Sequence, residues 1–199
     1  MKIVLASNNQ GKLVELQAMF APLGVELIRQ GDLFEGEAPE PHCTFVENAL
    51  SKARFAAERS GLPAIADDAG LCVEHFGGLP GVDTAYYCTQ FGYDKSDDNN
   101  VRAILEQMQG VASRRAAMVS TLVGVRSPKD PEPLIAVGRV QGEIATERRG
   151  SHGFGFDPVM YIPELGQTFA EMDTALKHAH SHRGRATQKM LELVRERWM

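Results

Sequence analysis

At 199 residues with 43% hydrophobic content, the chain is long enough for one sizeable core or two small lobes sharing a sheet, and one domain over residues 1–199 is the expectation. A formal net charge of -5 excludes a nucleic-acid binder that works by neutralising many phosphates, since that needs a surplus of Lys and Arg. The apolar run Ile3 to Ala6 is too short for a signal peptide, and no segment approaches about 18 unbroken apolar residues, so the chain reads as cytoplasmic with no nucleic-acid or membrane partner.

Lys2 to Ala6 reads as a buried strand, Ser7 to Gly11 as a tight turn, and Lys12 to Phe20 as a helix with Leu13, Leu16, Met19 and Phe20 on its apolar side. Val25 to Ile28 predicts a second strand, and the Glu/Pro-rich stretch Glu35 to His42 a loop acidic enough to hold a cation. Thr44 is a natural N-cap with Glu47 closing a capping box, for a helix running to about Arg59 before Gly61 and Pro63. Ala64 to Ala66 reads as a strand ending in Asp67-Asp68-Ala69-Gly70, with extended pattern resuming at Leu71 to Val73. Gly77 to Gly81 predicts a rigid loop, and Asp97 to Met108 a helix that Gly110 terminates. Residues 116 to 125 are almost wholly apolar, whereas Val140, Gly142 and Ile144 alternate with Arg139, Gln141 and Glu143, so two long strands joined through Pro128 to Pro133 predict an antiparallel hairpin. Met190, Leu191, Val194 and Trp198 lie at helical spacing in a last helix from about Gly184.

Four constellations could carry chemistry. The Ser7 to Lys12 turn offers backbone N–H groups, small polar side chains and a lysine at a helix N-terminus, which favours an anion; it lacks the two glycines and Lys-Ser/Thr pair of a Walker A loop, and such turns also occur with no ligand. Asp67 and Asp68 are adjacent carboxylates that repel unless a cation or hydrogen bonds stabilise them. Mg2+ would do so, with Glu40 as second carboxylate; alternatively Asp67 caps local backbone and Asp68 faces solvent. Gly153-Phe154-Gly155-Phe156-Asp157-Pro158 puts an aromatic between glycines, open to a flat ligand or simply core, with Asp157 held extended before the proline. His178, His180 and His182 raise zinc, but only His178 and His182 would share a helical face, and no thiol lies near. His182 with Arg183 makes more sense as paired donors to a carbonyl or phosphate. Cys43, Cys72 and Cys88 match neither a zinc pattern nor a disulfide framework.

Taken in order, Ser7-Asn8-Asn9-Gln10-Gly11-Lys12, Thr44-Phe45-Val46-Glu47-Asn48-Ala49, Ala66-Asp67-Asp68-Ala69-Gly70-Leu71, Gly77-Gly78-Leu79-Pro80-Gly81, the Gly153 to Pro158 segment, Thr168-Phe169-Ala170-Glu171-Met172, Lys177 and Ser181-His182-Arg183-Gly184 resemble the inosine triphosphatase family over nearly the whole chain. These house-cleaning pyrophosphatases hydrolyse non-canonical purine nucleoside triphosphates such as ITP, dITP and XTP. The resemblance implies an elongated α/β fold with a long central mixed sheet, two lobes flanking a cleft, and a homodimer. It implies Asp68 as general base and Mg2+ ligand, Glu40 as second metal ligand, and Ser7, Asn8, Asn9, Gln10, Gly11 and Lys12 as the triphosphate cradle, with Lys52 a further phosphate contact. Phe154, Gly155, Phe156 and Asp157 resemble the base-binding segment, Lys177 a base or phosphate contact, and His182 with Arg183 the readers of the purine 6-keto group. Ala69 stands where the family usually has Ser, keeping a backbone N–H toward substrate and losing a hydroxyl; Thr84-Ala85-Tyr86 stands where Ser-Ala-Arg is common. A nucleotide sensor without turnover and a phosphohydrolase for other nucleotides are the rival readings.

Overall fold

A computed structural model describes residues 1–199 apart from the side chain of Glu15. Seven strands, β1 Lys2–Leu5, β2 Glu26–Arg29, β3 Ala64–Val73, β4 Arg115–Val125, β5 Leu134–Ile144, β6 Met160–Ile162 and β7 Gln167–Thr168, form one mixed sheet in the order β2-β1-β3-β4-β5-β6-β7. Among the described residues the α-helices are α1 Gln10–Phe20, α2 Phe45–Ser60, α3 Asp97–Gln107, α4 Thr174–His180 and α5 His182–Arg197. None is long and apolar enough to cross a membrane. The fold is thus α/β, and the chain divides into two compact units, each with its own core.

The first unit comprises residues 1–68, 120–138 and 185–199. β1 runs parallel to both β2 and β3, and Ile3, Val4 and Leu5 are fully buried, as a parallel strand covered on both faces requires. Because successive side chains alternate faces, Ile3, Leu5, Ile65 and Leu122 pack with Leu16 and Phe20 of α1 and with Met190 and Val194 of α5. Val4, Ala64, Ala66 and Val123 pack instead with Ala49, Ala53, Ala56 and Ala57 of α2. That alanine stripe has no bulk to hold the helix away from the sheet. Thr44 caps α2, accepting from the Glu47 N–H at 3.4 Å. The predicted box forms only in part, because the Glu47 carboxylate takes the Thr44 hydroxyl.

The second unit comprises residues 69–119 and 139–184. Val101 and Ile104 of α3 pack with Leu71, Cys88, Met118, Val140, Phe156 and Phe169. The Ile144 N–H donates to the Arg114 carbonyl at 2.8 Å, so the end of β5 returns beside the start of β4, as a hairpin demands. Arg114 then ties Met108, Ile144 and Ala145 together through its guanidinium. A full capping box is found at Thr168, whose N–H donates to Glu171 at 2.7 Å.

β3 does not stop at Ala66 but continues through both aspartates to Val73. Its pairing with β1 ends at Leu5↔Ile65, so the carboxylates stand just past the point where β1 gives out, and lysines rather than strand propensity make them tolerable there. The run Gly81–Phe91 is 3-10 helix.

Candidate active site

The order β2-β1-β3 creates a switch point, because the connection through α1 leads to one side of β1 and that through α2 to the other. Loops and side chains at the carboxyl ends of such strands are where open α/β sheets bind ligands. Asp67 and Asp68 follow the shared segment of β1 and β3 directly, and alternation sends them to opposite faces. Asp67, on the α1 face, pairs with Lys12 Nζ at 2.9 Å and accepts from the Ser120 hydroxyl at 2.7 Å. Asp68, on the α2 face, accepts from Lys52 Nζ at 3.0 Å, and the same ammonium donates to Glu40 at 2.8 Å. Neither aspartate faces solvent.

Three positions on one face of α2 anchor the acidic loop. Asn48 exchanges two hydrogen bonds with the His42 backbone at 3.0 and 3.1 Å, Ser51 donates to the Pro39 carbonyl at 3.3 Å, and Lys52 holds Glu40. Asn48 was quoted in a motif above, but its anchoring role was not legible, nor was Ser120 as a partner of Asp67.

Asp68 Oδ2 is buried without a hydrogen-bond partner, a condition that costs about 1–3 kcal/mol when nothing offsets it. Burial pushes the Asp68 carboxyl above the ordinary carboxylate range, Lys52 opposes that rise, and Glu40 and Asp67 add to it. Burial disfavours the Lys52 ammonium, yet Asp68 and Glu40 outweigh it and raise its pKa. An unpartnered oxygen beside a second carboxylate fits a hard cation such as Mg2+. Among the described residues no three His, Cys, Asp or Glu converge to hold a metal, so an ion here would complete its shell with water and phosphate oxygens.

The turn before α1 is held by its own side chains. Ser7 accepts from the Asn9 N–H at 3.2 Å, and Asn9 caps the helix by accepting from the Lys12 N–H at 3.0 Å. Asn8 donates to Glu37 at 3.0 Å, and a Cβ on Gly31 would stand 2.5 Å from its Oδ1, so the glycine leaves room for that side chain. Asn8, Asn9, Gln10 and Gly11 remain exposed at the mouth of the turn.

In the second unit, Phe154 is about half exposed (51%), whereas Phe156 is fully buried in the core. Asp157, also buried, accepts from the Phe154 N–H at 2.8 Å and from Lys177 Nζ at 2.5 Å. Asp97, at the start of α3, accepts from the Gly155 N–H at 2.9 Å. Gly153 has φ +79°, and a Cβ there would lie 2.0 Å from Asp157 Oδ2, so no other residue fits that turn. Asp157 sits in consecutive turns rather than the predicted extended run, its N–H reaching the Phe154 carbonyl at 3.3 Å. The Lys177 ammonium lies 5.0 Å and the Arg183 guanidinium carbon 5.4 Å from the centre of the Phe154 ring, within cation–π range. His182 and Arg183, both buried, open α5, whose start Ser181 caps by accepting from the Gly184 N–H at 3.0 Å. His178 and His180 belong to α4. At the departures noted above, Thr84 keeps a working hydroxyl, accepting from Leu71 N–H at 2.8 Å and donating to Gly81, and Tyr86 carries the Lys95 ammonium 3.8 Å above its ring. Ala69 is partly buried in β3.

Fold and side-chain chemistry together define an α/β protein that presents acid–lysine pairs at a strand switch point. The chain belongs to the Ham1 family, whose sequence model matches residues 3–193. It is 89% identical over its whole length and the relative's to the dITP/XTP pyrophosphatase of Delftia acidovorans, and 76% identical, again over the full length of both, to that of Paracidovorax citrulli. Among solved structures it is similar to a HAM1 protein from Coxiella burnetii, with a TM-score of 0.93 and 38% identity over 98% of this chain and 99% of that one. The Ham1 protein of Staphylococcus aureus gives a TM-score of 0.89 at 34% identity, over 98% and 99% of the two chains.

Proposed function

We propose that the chain hydrolyses the non-canonical purine nucleoside triphosphates ITP, dITP and XTP to the nucleoside monophosphate and pyrophosphate, with Mg2+, and so clears them from the nucleotide pool. The observation that carries this reading is Asp68: a buried carboxylate with raised pKa, one oxygen on Lys52 and the other without a partner, next to Glu40. The reaction class is supported by the name that the 89%-identical relative bears.

Glu40 and Asp68 would hold Mg2+, which when bound neutralises triphosphate oxygens and stabilises charge on the leaving pyrophosphate. Asp68 takes the proton of the attacking water, and burial makes it a stronger base than an exposed carboxylate. The water oxygen bonds to the α-phosphorus as its bond to the oxygen bridging to the β-phosphorus breaks, so the departing pyrophosphate carries away the electron pair. Lys52 keeps Glu40 and Asp68 together before substrate arrives. Lys12 and the Ser7 to Gly11 segment, exposed from Asn8 on, offset triphosphate charge by positioning and electrostatics, which dominate phosphoryl-transfer catalysis. For the base, Phe154 offers an exposed ring for stacking, held by Asp157 and Asp97 from behind its backbone. Arg183 donates only, so it suits the 6-keto oxygen of hypoxanthine and xanthine and opposes the amino group of adenine, a hydrogen-bond mismatch that can discriminate by roughly 10⁴. The proposal extends to a cytoplasmic homodimer, which sedimentation of the purified protein checks.

The test is pyrophosphate release from ITP, dITP, XTP, GTP, ATP and dTTP, with and without Mg2+. Turnover of the first three in Mg2+, with little from the rest, is expected. Binding without turnover on all six would replace this reading with a nucleotide sensor.

A further inference from the structure

The geometry points to Asp67 as the positioning residue for Lys12, with Ser120 fixing Asp67 in turn. This rests on the reading of the Ser7 to Lys12 turn as a phosphate cradle. The Asp67 side chain is fully buried and its partner Lys12 is about one-fifth exposed, so the ammonium is held against a buried carboxylate at the inner side of the turn. The two carboxylate oxygens are divided: Oδ1 accepts from Ser120 at 2.7 Å, and Oδ2 pairs with Lys12 at 2.9 Å. Ser120 is fully buried in β4, so its hydroxyl sets the Asp67 rotamer from a rigid element. Lys12 has a long side chain with many rotamers in water, and its backbone N–H is already committed to the Asn9 cap. Asp67 fixes the ammonium end as Asn9 fixes the backbone end.

Alternation along β3 gives this arrangement a second effect. Asp67 claims Lys12 on one face while Asp68 and Glu40 claim Lys52 on the other, so each lysine has its own counter-ion. Asp68 can then bind a cation without drawing Lys12 out of the cradle. Asp67 touches no reacting atom in this scheme and acts through Lys12.

The experiment is a double-mutant cycle on the whole protein, read first by calorimetric binding of inorganic tripolyphosphate without metal and then by kcat and KM for ITP with Mg2+. Lys12→Met is expected to weaken tripolyphosphate binding about 10-fold and Asp67→Asn about 5-fold, with the double variant within about 2-fold of Lys12→Met, since residues acting through one contact are not additive. Unchanged or tighter binding in Asp67→Asn, or losses that multiply in the double variant, would overturn the assignment. If Lys12→Met itself leaves tripolyphosphate binding unchanged, the cradle reading fails and takes the inference with it; a loss in Lys12→Met without one in Asp67→Asn removes the inference alone. Should Asp67→Asn not fold by circular dichroism, Ser120→Ala replaces it. A loss of about 2- to 5-fold that disappears in the Lys12→Met background supports the assignment, and one that persists there overturns it.

Discussion

In the first unit the paired charged side chains project from regular elements: Asp67 and Asp68 from β3, Lys12 from α1, Lys52 from α2. In the second, the half-exposed aromatic Phe154 sits on a chain of turns between β5 and β6, kept in shape by carboxylates that accept backbone N–H groups, Asp157 from Phe154 and Asp97 from Gly155. Charge needs the rigidity, because buried carboxylates and lysines a few ångströms apart are tolerable only in one geometry. Stacking on a ring needs access instead, and a glycine-flanked turn supplies it. The first region should therefore govern chemistry and the second recognition.

The largest expected effect breaks the first region. Asp68→Asn removes the proposed base and a carboxylate ligand while keeping size, and turnover of ITP should fall by about 10³ or more. Its unfolding temperature should not drop below that of the parent, because a carboxyl whose pKa is raised by burial costs stability when ionised at neutral pH. Near-normal turnover would dissolve the distinction between the regions. Phe154→Ala tests the other side: loss of a base-stacking ring is worth roughly 1–3 kcal/mol, so KM for ITP should rise about 5- to 150-fold while tripolyphosphate binding stays as it was. A matching loss on tripolyphosphate would show that the aromatic segment does not read the base. Gly153→Ala is expected to lower stability by about 1–3 kcal/mol, measured in urea, through strain at positive φ and the clash with Asp157, and to raise KM with it.

Much of this was legible in the sequence where the signal is local. β1, α1, α2, β4, β5 and α5 follow from apolar periodicity, and Thr44, Gly61 and Gly110 mark real ends. The short elements β6, β7 and α4, of three, two and seven residues, carry too few positions for a period to register. The residues brought together as site candidates, and the lysines paired with their carboxylates, were named from the sequence, but the partners Ser120 and Asp97 were not. Ser120 lies 53 residues from Asp67 and Asp97 lies 58 from Gly155, and only the fold makes such pairs neighbours. On sequence alone the adjacent aspartates repel unless a cation or hydrogen bonds stabilise them; strand alternation turns them to opposite faces, each with a lysine.

The smallest expected effect uses a fourth buried aspartate as the foil to Asp68. Asp130, in the connection from β4 to β5, accepts from the Arg126 and Glu132 N–H groups at 2.8 and 3.0 Å and from the Arg126 guanidinium at 3.2 Å. Those donors, the guanidinium first, hold its carboxyl down at about 2 against an ordinary 3.8, whereas Asp68, with one ammonium and an unpartnered oxygen, is held up. Donors outweigh burial at Asp130, whereas burial with the nearby Glu40 and Asp67 charges outweighs Lys52 at Asp68, and that balance sets the sign. A depressed folded-state pKa contributes stability that is present above the ordinary value and is lost as pH falls through about 2. Because Arg126 is half exposed and screened by solvent, the contribution should be only about 1–2 kcal/mol. Urea unfolding at a series of pH values should show it vanishing between about pH 4 and pH 2 in the parent, and absent throughout in Asp130→Asn. A parent and variant that lose stability in parallel over that window would mean that the folded turn does not lower the Asp130 pKa, and that its donors do not separate the two aspartates.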